Sequence, residues 1–319
     1  MKAQANNQLE FRTYLVSKEH KNRYYVKLAP IEYDREKANQ IYRDLKHGIP
    51  VLRADIFWAR EIGRQLMRLV DDPDFFSSEG QHKMEASNKA SKGLLKSFVM
   101  HFAAAGSSGY QVCPSRSAGC EFACLFTAGH GAICNVTAGR IKRTRLYFEH
   151  RAIWAILLFD QLSRLSKRPY QVAVRLNGTS DLPHEAMNGD RWIFDMFNGS
   201  NSYKRIQFYD YTAILGRLKK SLPDNYHLTF SRKEDNHDKA MLALERGFSV
   251  AMVFSLPVYQ GIMKAGNWCG YPVVDGTIDD RRFLDKPGSV VVLKELGKAK
   301  QDNSGFVIRS SLQAVGGIL

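Results

Sequence analysis

Residues 205–254, RIQFYDYTAILGRLKKSLPDNYHLTFSRKEDNHDKAMLALERGFSVAMVF, decide the fold. Three short runs in this stretch, RIQFYDYT, YHLTFS and SVAMVF, are rich in β-branched and aromatic residues and read as strands. Between them AILGRLKKS and HDKAMLALERG place apolar residues at helical spacing, and the second closes on a glycine suited to end a helix. Strands that alternate with helices need crossovers, and crossovers make neighbouring strands parallel.

The alternation extends in both directions. Upstream, LLKSFVMHFAAA (94–105) and YQVAVRLNG (170–178) read as strands, with a long helical segment from Ile141 to Lys167 between them. EAMNGDRWIFDMFNG (185–199) reads as mostly helical; downstream, YPVVDG (271–276) and SVVVLKEL (289–296) read as strands. The expected fold is α/β, a parallel-sheet (βα) partial-barrel-like core. Ahead of it, RTYLV (12–16) and NRYYVKLAP (22–30) suit a small hairpin, and DREKANQIYRDLKHG (34–48) and VLRADIFWAREIGRQLMRLV (51–70) suit helices. Residues 71–93 lack a sustained period and read as a linker. The division expected is a basic, mainly helical extension over 1–80 and the α/β domain over 81–319.

A chain of 319 residues with 44% hydrophobic residues buries a substantial core. The start MKAQANNQLEFRTY lacks a secretory signal's apolar centre, and AIWAILLF is too short to cross a bilayer, so a cytoplasmic protein with no membrane partner is expected. The net charge of +14 points to an anionic partner, nucleic acid ahead of membrane, with a basic surface kept for solubility as the plainer alternative. Within it RIKRTR, carrying Arg140, Lys142, Arg143 and Arg145, suits either phosphate contacts or a solvated basic turn. Nothing in composition sets the oligomeric state.

In a parallel sheet, functional groups gather at the carboxyl ends of the strands. Here those ends are rich in hydrogen-bonding residues: Asn177, Gly178, Thr179, Ser180 and Asp181 after one strand, Asp210 in the next, Ser231 and Asn236 after the third. Each cluster alone is explained by loop polarity and helix capping. Together they suit a shared ligand pocket, and Gly178 suits close approach of backbone to a ligand. The glycine spacing matches no dinucleotide or phosphate-loop fingerprint, and no nucleophile elbow or paired-histidine motif is present.

The first strand of this series leads into CPSRSAGCEFACLFTAGHGAIC (113–134), which holds four of the five cysteines. Cys113, Cys120, Cys124 and Cys134 are separated by six, three and nine residues. In a reducing compartment such crowding points to metal rather than disulfides. Zinc prefers two close pairs, and only Cys120 and Cys124 form one, leaving Cys134 or His130 to complete the tetrahedron. The alternative is a 4Fe–4S cluster on Cys113, Cys120 and Cys124 with one iron open; buried thiols packing as small hydrophobes is the plainest reading.

From Cys113 onward, GHGAICNVTAGRIKRTRLYFEHR, VRLNGTSDLPHE, QFYDYT, NYHLTFSRKEDN, PVVDGTIDDRRFLD and GFVI resemble, in order, the bacteriophage gene product 88 domain family over roughly residues 85–310. That family brings no established activity. A second, architectural resemblance is to radical S-adenosylmethionine enzymes. They hold a cluster on three cysteines after the first strand of a partial barrel, and S-adenosylmethionine on loops after the second and fourth. It implies Cys113, Cys120 and Cys124 as cluster ligands, Asn177 to Asp181 at the cofactor's amino acid, and Asp210, Ser231 and Asn236 as further cofactor contacts. The cysteine spacing departs from that pattern, and the GGE tripeptide is missing. The function expected is an iron–sulfur enzyme acting on nucleic acid or a nucleotide; the alternative is a zinc-stabilised nucleic-acid-binding or replication protein.

Overall fold

The computed structural model describes residues 13–16, 23–26, 31–67, 74–77, 94–124, 133–186, 189–218 and 221–310. They divide into two compact units, one made of residues through Asp74 with Arg145–Leu162, the other of Phe75–Thr144 with Ser163 onward. Among the described residues no helix is long and apolar enough to cross a membrane.

In the first unit β1 (Thr13–Val16) and β2 (Arg23–Val26) form the expected antiparallel hairpin. Helix α1 (Arg35–Lys46) starts where Asp34 accepts the Lys37 N–H, and it buries Ala38, Ile41 and Leu45 along one stripe. Helix α2 (Arg53–Met67) buries Ala59, Ile62 and Met67. Its Arg60 grips the Asp160 carboxylate with Nε at 3.0 Å and Nη2 at 2.8 Å.

The second unit is built on β3 (Phe76–Ser77), β4 (Leu95–Met100), β5 (Gln171–Arg175), β6 (Ile206–Thr212), β7 (Tyr226–Ser231), β8 (Val250–Phe254), β9 (Asn267–Trp268), β10 (Tyr271–Asp275), β11 (Val290–Lys294) and β12 (Val307–Ile308). They form one sheet in the order β3-β4-β5-β6-β7-β8-β11-β10-β9, with β12 also on β8. Neighbours from β4 through β8 and on to β11 and β10 are parallel; β3 and β9 pair antiparallel at the two ends. From β4 to β8 each strand adds beside the one before, the single-direction winding of a partial barrel, as expected.

The helices after α2 are α3 (Ala118–Phe122), α4 (Cys134–Glu149), α5 (Arg151–Ser166), α6 (Trp192–Met196), α7 (His237–Glu245) and α8 (Leu256–Ala265). Four segments differ from expectation, and the first is 185–199, expected to be mostly helical and helical only over Trp192–Met196. The helix expected over 141–167 is two helices interrupted at His150, although the His150 N–H still bonds Leu146 O and its carbonyl accepts from Trp154. AILGRLKKS forms only a 3-10 turn at Leu215–Arg217, because Arg217 turns into a buried ionic cluster. Helix α8 was unforeseen; its signals are a proline in the first turn and Gly266 at φ 71° as the cap.

Register decides which side chains share a face. Val174 lies beside Phe208, and Phe208 beside Tyr226; there Phe194 of α6 packs its ring 5.0 Å from Phe208 and 4.4 Å from Tyr226. Alternation puts Ser97, Arg175, Tyr209, Tyr211 and Thr229 on the other face. Phe283 covers Tyr209 at 5.4 Å, and Asp280 pairs with Arg175 at 3.1 Å. At the carboxyl rim β7 leaves β8 after Ser231, and β12 takes the vacated edge opposite Val253 and Phe254. The β7 loop is thereby steered towards residues 304–306: Arg232 donates to the carbonyls of Gly305 and Phe306.

Candidate metal centre at the carboxyl rim

The loop after β4 turns at Ala105, whose φ of 48° is left-handed, and Val112 N–H bonds back to Ala105 O. Cys113 then lies against the β5 loop. Its thiol reaches the Thr179 carbonyl at 3.8 Å, and the adjacent Val112 carbonyl accepts the Asp181 N–H at 2.8 Å. Helix α3, capped by Ser117, carries Cys120 and ends just before Cys124. Gly119 fixes where this helix sits. Its N–H donates to Glu234 Oε1 at 2.7 Å, and a Cβ there would lie 2.0 Å from Ser304 Oγ and 2.8 Å from the Glu234 carboxyl carbon. Buried Ala123 packs with Ala299 and Val307. The cysteine loop therefore bridges the loops after β5 and β7 at one rim.

The thiols of Cys113, Cys120 and Cys124 lie within electrostatic reach of one another. Burial pushes the Cys113 thiol up to about 11, with Cys124 adding to the rise and Asp181 contributing. Burial pushes Cys120 up to about 12, with Cys124 and then Cys113 adding. Three thiols that oppose each other's ionisation are what a multivalent cation relieves, because thiolates lose their protons to the metal. Among the described residues no three His, Cys, Asp or Glu side chains are grouped to hold a single metal ion. Cys134 and Cys269 are exposed, and His130 lies outside the described residues.

Many side chains singled out as ligand contacts instead bond one another. Asn177 Nδ2 donates to Leu182 O and Asp210 Oδ2, while its Oδ1 accepts from Ser180 Oγ and Leu182 N. Thr179 Oγ1 donates to Phe102 O at 2.6 Å. Asp210 also accepts the Asn177 N–H and the Tyr226 hydroxyl, and burial raises its carboxyl to about 6 against the pull of Arg175. Asp181 pairs with Arg217 and accepts the Ala213 N–H. Gly178 is close to protein rather than ligand: a Cβ would lie 2.5 Å from the His101 ring and 2.7 Å from Met100 O. Asn236 is a loop brace, accepting from Lys233 N and donating to Ser231 O. These residues shape the rim's loops, and of the β5 loop it is the Thr179 carbonyl that meets Cys113.

The basic segment is divided. Arg145 is exposed and Lys142 half-buried, whereas Arg140 and Arg143, three residues apart on one helical face, turn inward. Arg143 Nη1 donates to the His101 carbonyl at 2.5 Å. Thr144 Oγ1 accepts the Ala103 N–H at 2.8 Å, fastening α4 to the β4 loop.

Comparison with protein families matches residues 74–310 to gene product 88. The match runs from the edge strand β3 through β12, the whole sheet and its rim. This chain belongs to the gene product 88 family. Searches of curated proteins and of solved structures return no match. The gene product 88 region thus includes the cysteine loop, both loops that frame it, and α4.

Sequence reasoning underrated Glu234, which stood out only as one polar residue of a loop, and missed Ser304, His101 and Arg217. No local signal marks them, because their partners lie far along the chain. Glu234 is the informative one: Glu234→Ala removes the acceptor for Gly119 N–H, while Glu234→Gln keeps an acceptor oxygen. If the cysteine loop holds a metal, the metal bound per chain is expected to fall several-fold in the alanine variant and to recover in the glutamine variant, with melting temperatures of the two alike. Equal metal content in both would make Glu234 irrelevant to the cysteine loop.

Proposed function

We propose that this gene product 88 chain is an iron–sulfur enzyme, with Cys113, Cys120 and Cys124 holding a 4Fe–4S cluster and S-adenosylmethionine as its partner cofactor. The observation that supports the reading is the convergence of three half-buried thiols, within electrostatic reach of one another, at the carboxyl rim of a mostly parallel sheet. Soft thiolates suit iron–sulfur clusters, and a set of three leaves a fourth iron open. When bound, such a cluster supplies one-electron chemistry to a ligand on that iron.

The protein's own part is positional. Glu234 and Ser304 seat the Cys120 helix, Thr179 and Asp181 seat Cys113, and the backbone of 178–181 offers polar groups beside it. The +14 charge supports nucleic acid or a nucleotide as the substrate. Anaerobic purification followed by metal and sulfide analysis and a visible spectrum tests this. The expected result is brown protein with about four iron and four sulfide per chain. Colourless protein carrying one zinc would replace the reading with a zinc-stabilised nucleic-acid-binding protein.

A further inference from the structure

We propose that the cleft between the loop after β5 and the turn after β6 binds a small metabolite by its oxyanion, a carboxylate or a phosphate, with Arg191 and Ser221 as the receiving groups. The inference stands on that cleft and does not require the metal reading.

The cleft has a volume of about 270 Å³, and its walls resist collapse. Pro183 and Pro223 both line it, each with φ fixed by its ring and each closing a turn. The Pro183 carbonyl accepts the Ala186 N–H at 3.1 Å, and the Pro223 carbonyl accepts the Tyr226 N–H at 2.9 Å. Between them Arg217 turns inward to Glu185 and Asp181, so the segment after β6 makes only a 3-10 turn at Leu215–Arg217. Gly216 of that turn lines the cleft and is exposed; a Cβ added there would meet no atom within 4 Å. A preformed space of this size suits a small molecule and not a macromolecule.

The charges on the lining select an anion. Arg217 and Glu185 satisfy each other, Nε to Oε1 and Nη2 to Oε2, both at 2.9 Å, and Arg217 also holds Asp181, so its charge is fully compensated. Arg191 is different. Its side chain is 32% exposed, and among the described residues its charged neighbour is Asp195, with Nε 3.6 Å from Oδ2. That separation is beyond hydrogen-bond distance, and the Asp195 side chain is itself 58% exposed. An exposed pair of this kind contributes little, so the guanidinium is available to a better partner. Arg191 therefore brings an available cation to a cleft that solvent reaches, and the Ser221 hydroxyl adds a neutral donor to the same lining. A guanidinium with open donors matches the paired oxygens of a carboxylate or phosphate, while the two prolines offer the rest of the molecule an apolar wall.

Calorimetry on the full chain, as purified, tests this with sodium phosphate and separately with sodium acetate, at an ionic strength held constant with chloride. Binding of at least one is expected, and the tighter of the two tells a phosphate ester from a carboxylic acid as the source of the oxyanion. Arg191→Ala is expected to weaken that binding by about tenfold or more, and Arg191→Lys by less, as for a charged hydrogen bond. Gly216→Leu places a side chain in open space, so it is expected to weaken binding to a similar degree with the melting temperature unchanged. Should either variant fail to fold, Arg191→Lys or Gly216→Ala decides in its place. Binding of neither anion over chloride, or affinity unchanged in either folded variant, would overturn the proposal.

Discussion

On the proposed iron–sulfur reading, Cys113→Ala, Cys120→Ala and Cys124→Ala are each expected to abolish iron binding, with the visible absorption lost and not merely reduced. Each thiol is one of three that share a partly buried site, so no neighbour would replace it, and a cluster held there would lose one of its three anchors. Cys269→Ala is expected to leave iron unchanged. Cys269 sits at φ 48° in the exposed turn between β9 and β10, at the far end of the strand order from β4. Cys134→Ala is the discriminating variant. It is dispensable to a three-cysteine cluster and indispensable to a four-thiolate zinc site, and Cys134 opens α4 in an exposed position. Iron retained in Cys113→Ala, or lost only in Cys134→Ala, would defeat the proposed ligand set.

Arg217→Ala is expected to destabilise the second unit by about 3–5 kcal/mol, the cost of leaving buried charges without their partner. For a unit of this size that lowers the melting temperature by roughly 6–20 °C. The Arg217 guanidinium pairs with Asp181, meets both Glu185 oxygens at 2.9 Å, and donates to the Tyr226 hydroxyl at 3.0 Å. Tyr226 in turn donates to Asp210, so one arginine supports the loops after β5 and β6 together. The effect depends on pH. Burial already raises the Asp181 carboxyl against the pull of Arg217, and removing Arg217 raises it further. A carboxyl raised by folding contributes stability that is fully present below its unfolded pKa and lost as pH rises through the folded one. The penalty of the substitution is therefore larger at pH 8 than at pH 5. The wild type shares this sign through Asp210, whose contribution fades as pH rises through about 6. Urea unfolding at both pH values measures it, and a penalty independent of pH would show that the carboxylates are not left buried.

The sequence by itself determined the alternation of strands and helices, hence a parallel sheet with its carboxyl ends on one rim, and it located the cysteine loop and the polar loops on that rim. These are local properties: hydrophobic period, β-branched content and turn residues act within a few positions of themselves. The short edge strands β3, β9 and β12 escaped it, since two residues carry no period. Only the tertiary structure decided what each polar residue does. Asp181 and Asn177 have the composition of ligand contacts, and nothing local reveals that Arg217 and Asp210, 36 and 33 residues away, take up their hydrogen bonds. The same holds for Gly119, whose missing side chain makes room for Glu234, 115 residues on. Helical periodicity alone could not tell that Arg143 turns in to the His101 carbonyl while Arg145 stays exposed. Which face of a helix is buried is set by what packs on it, and those partners come from elsewhere in the chain.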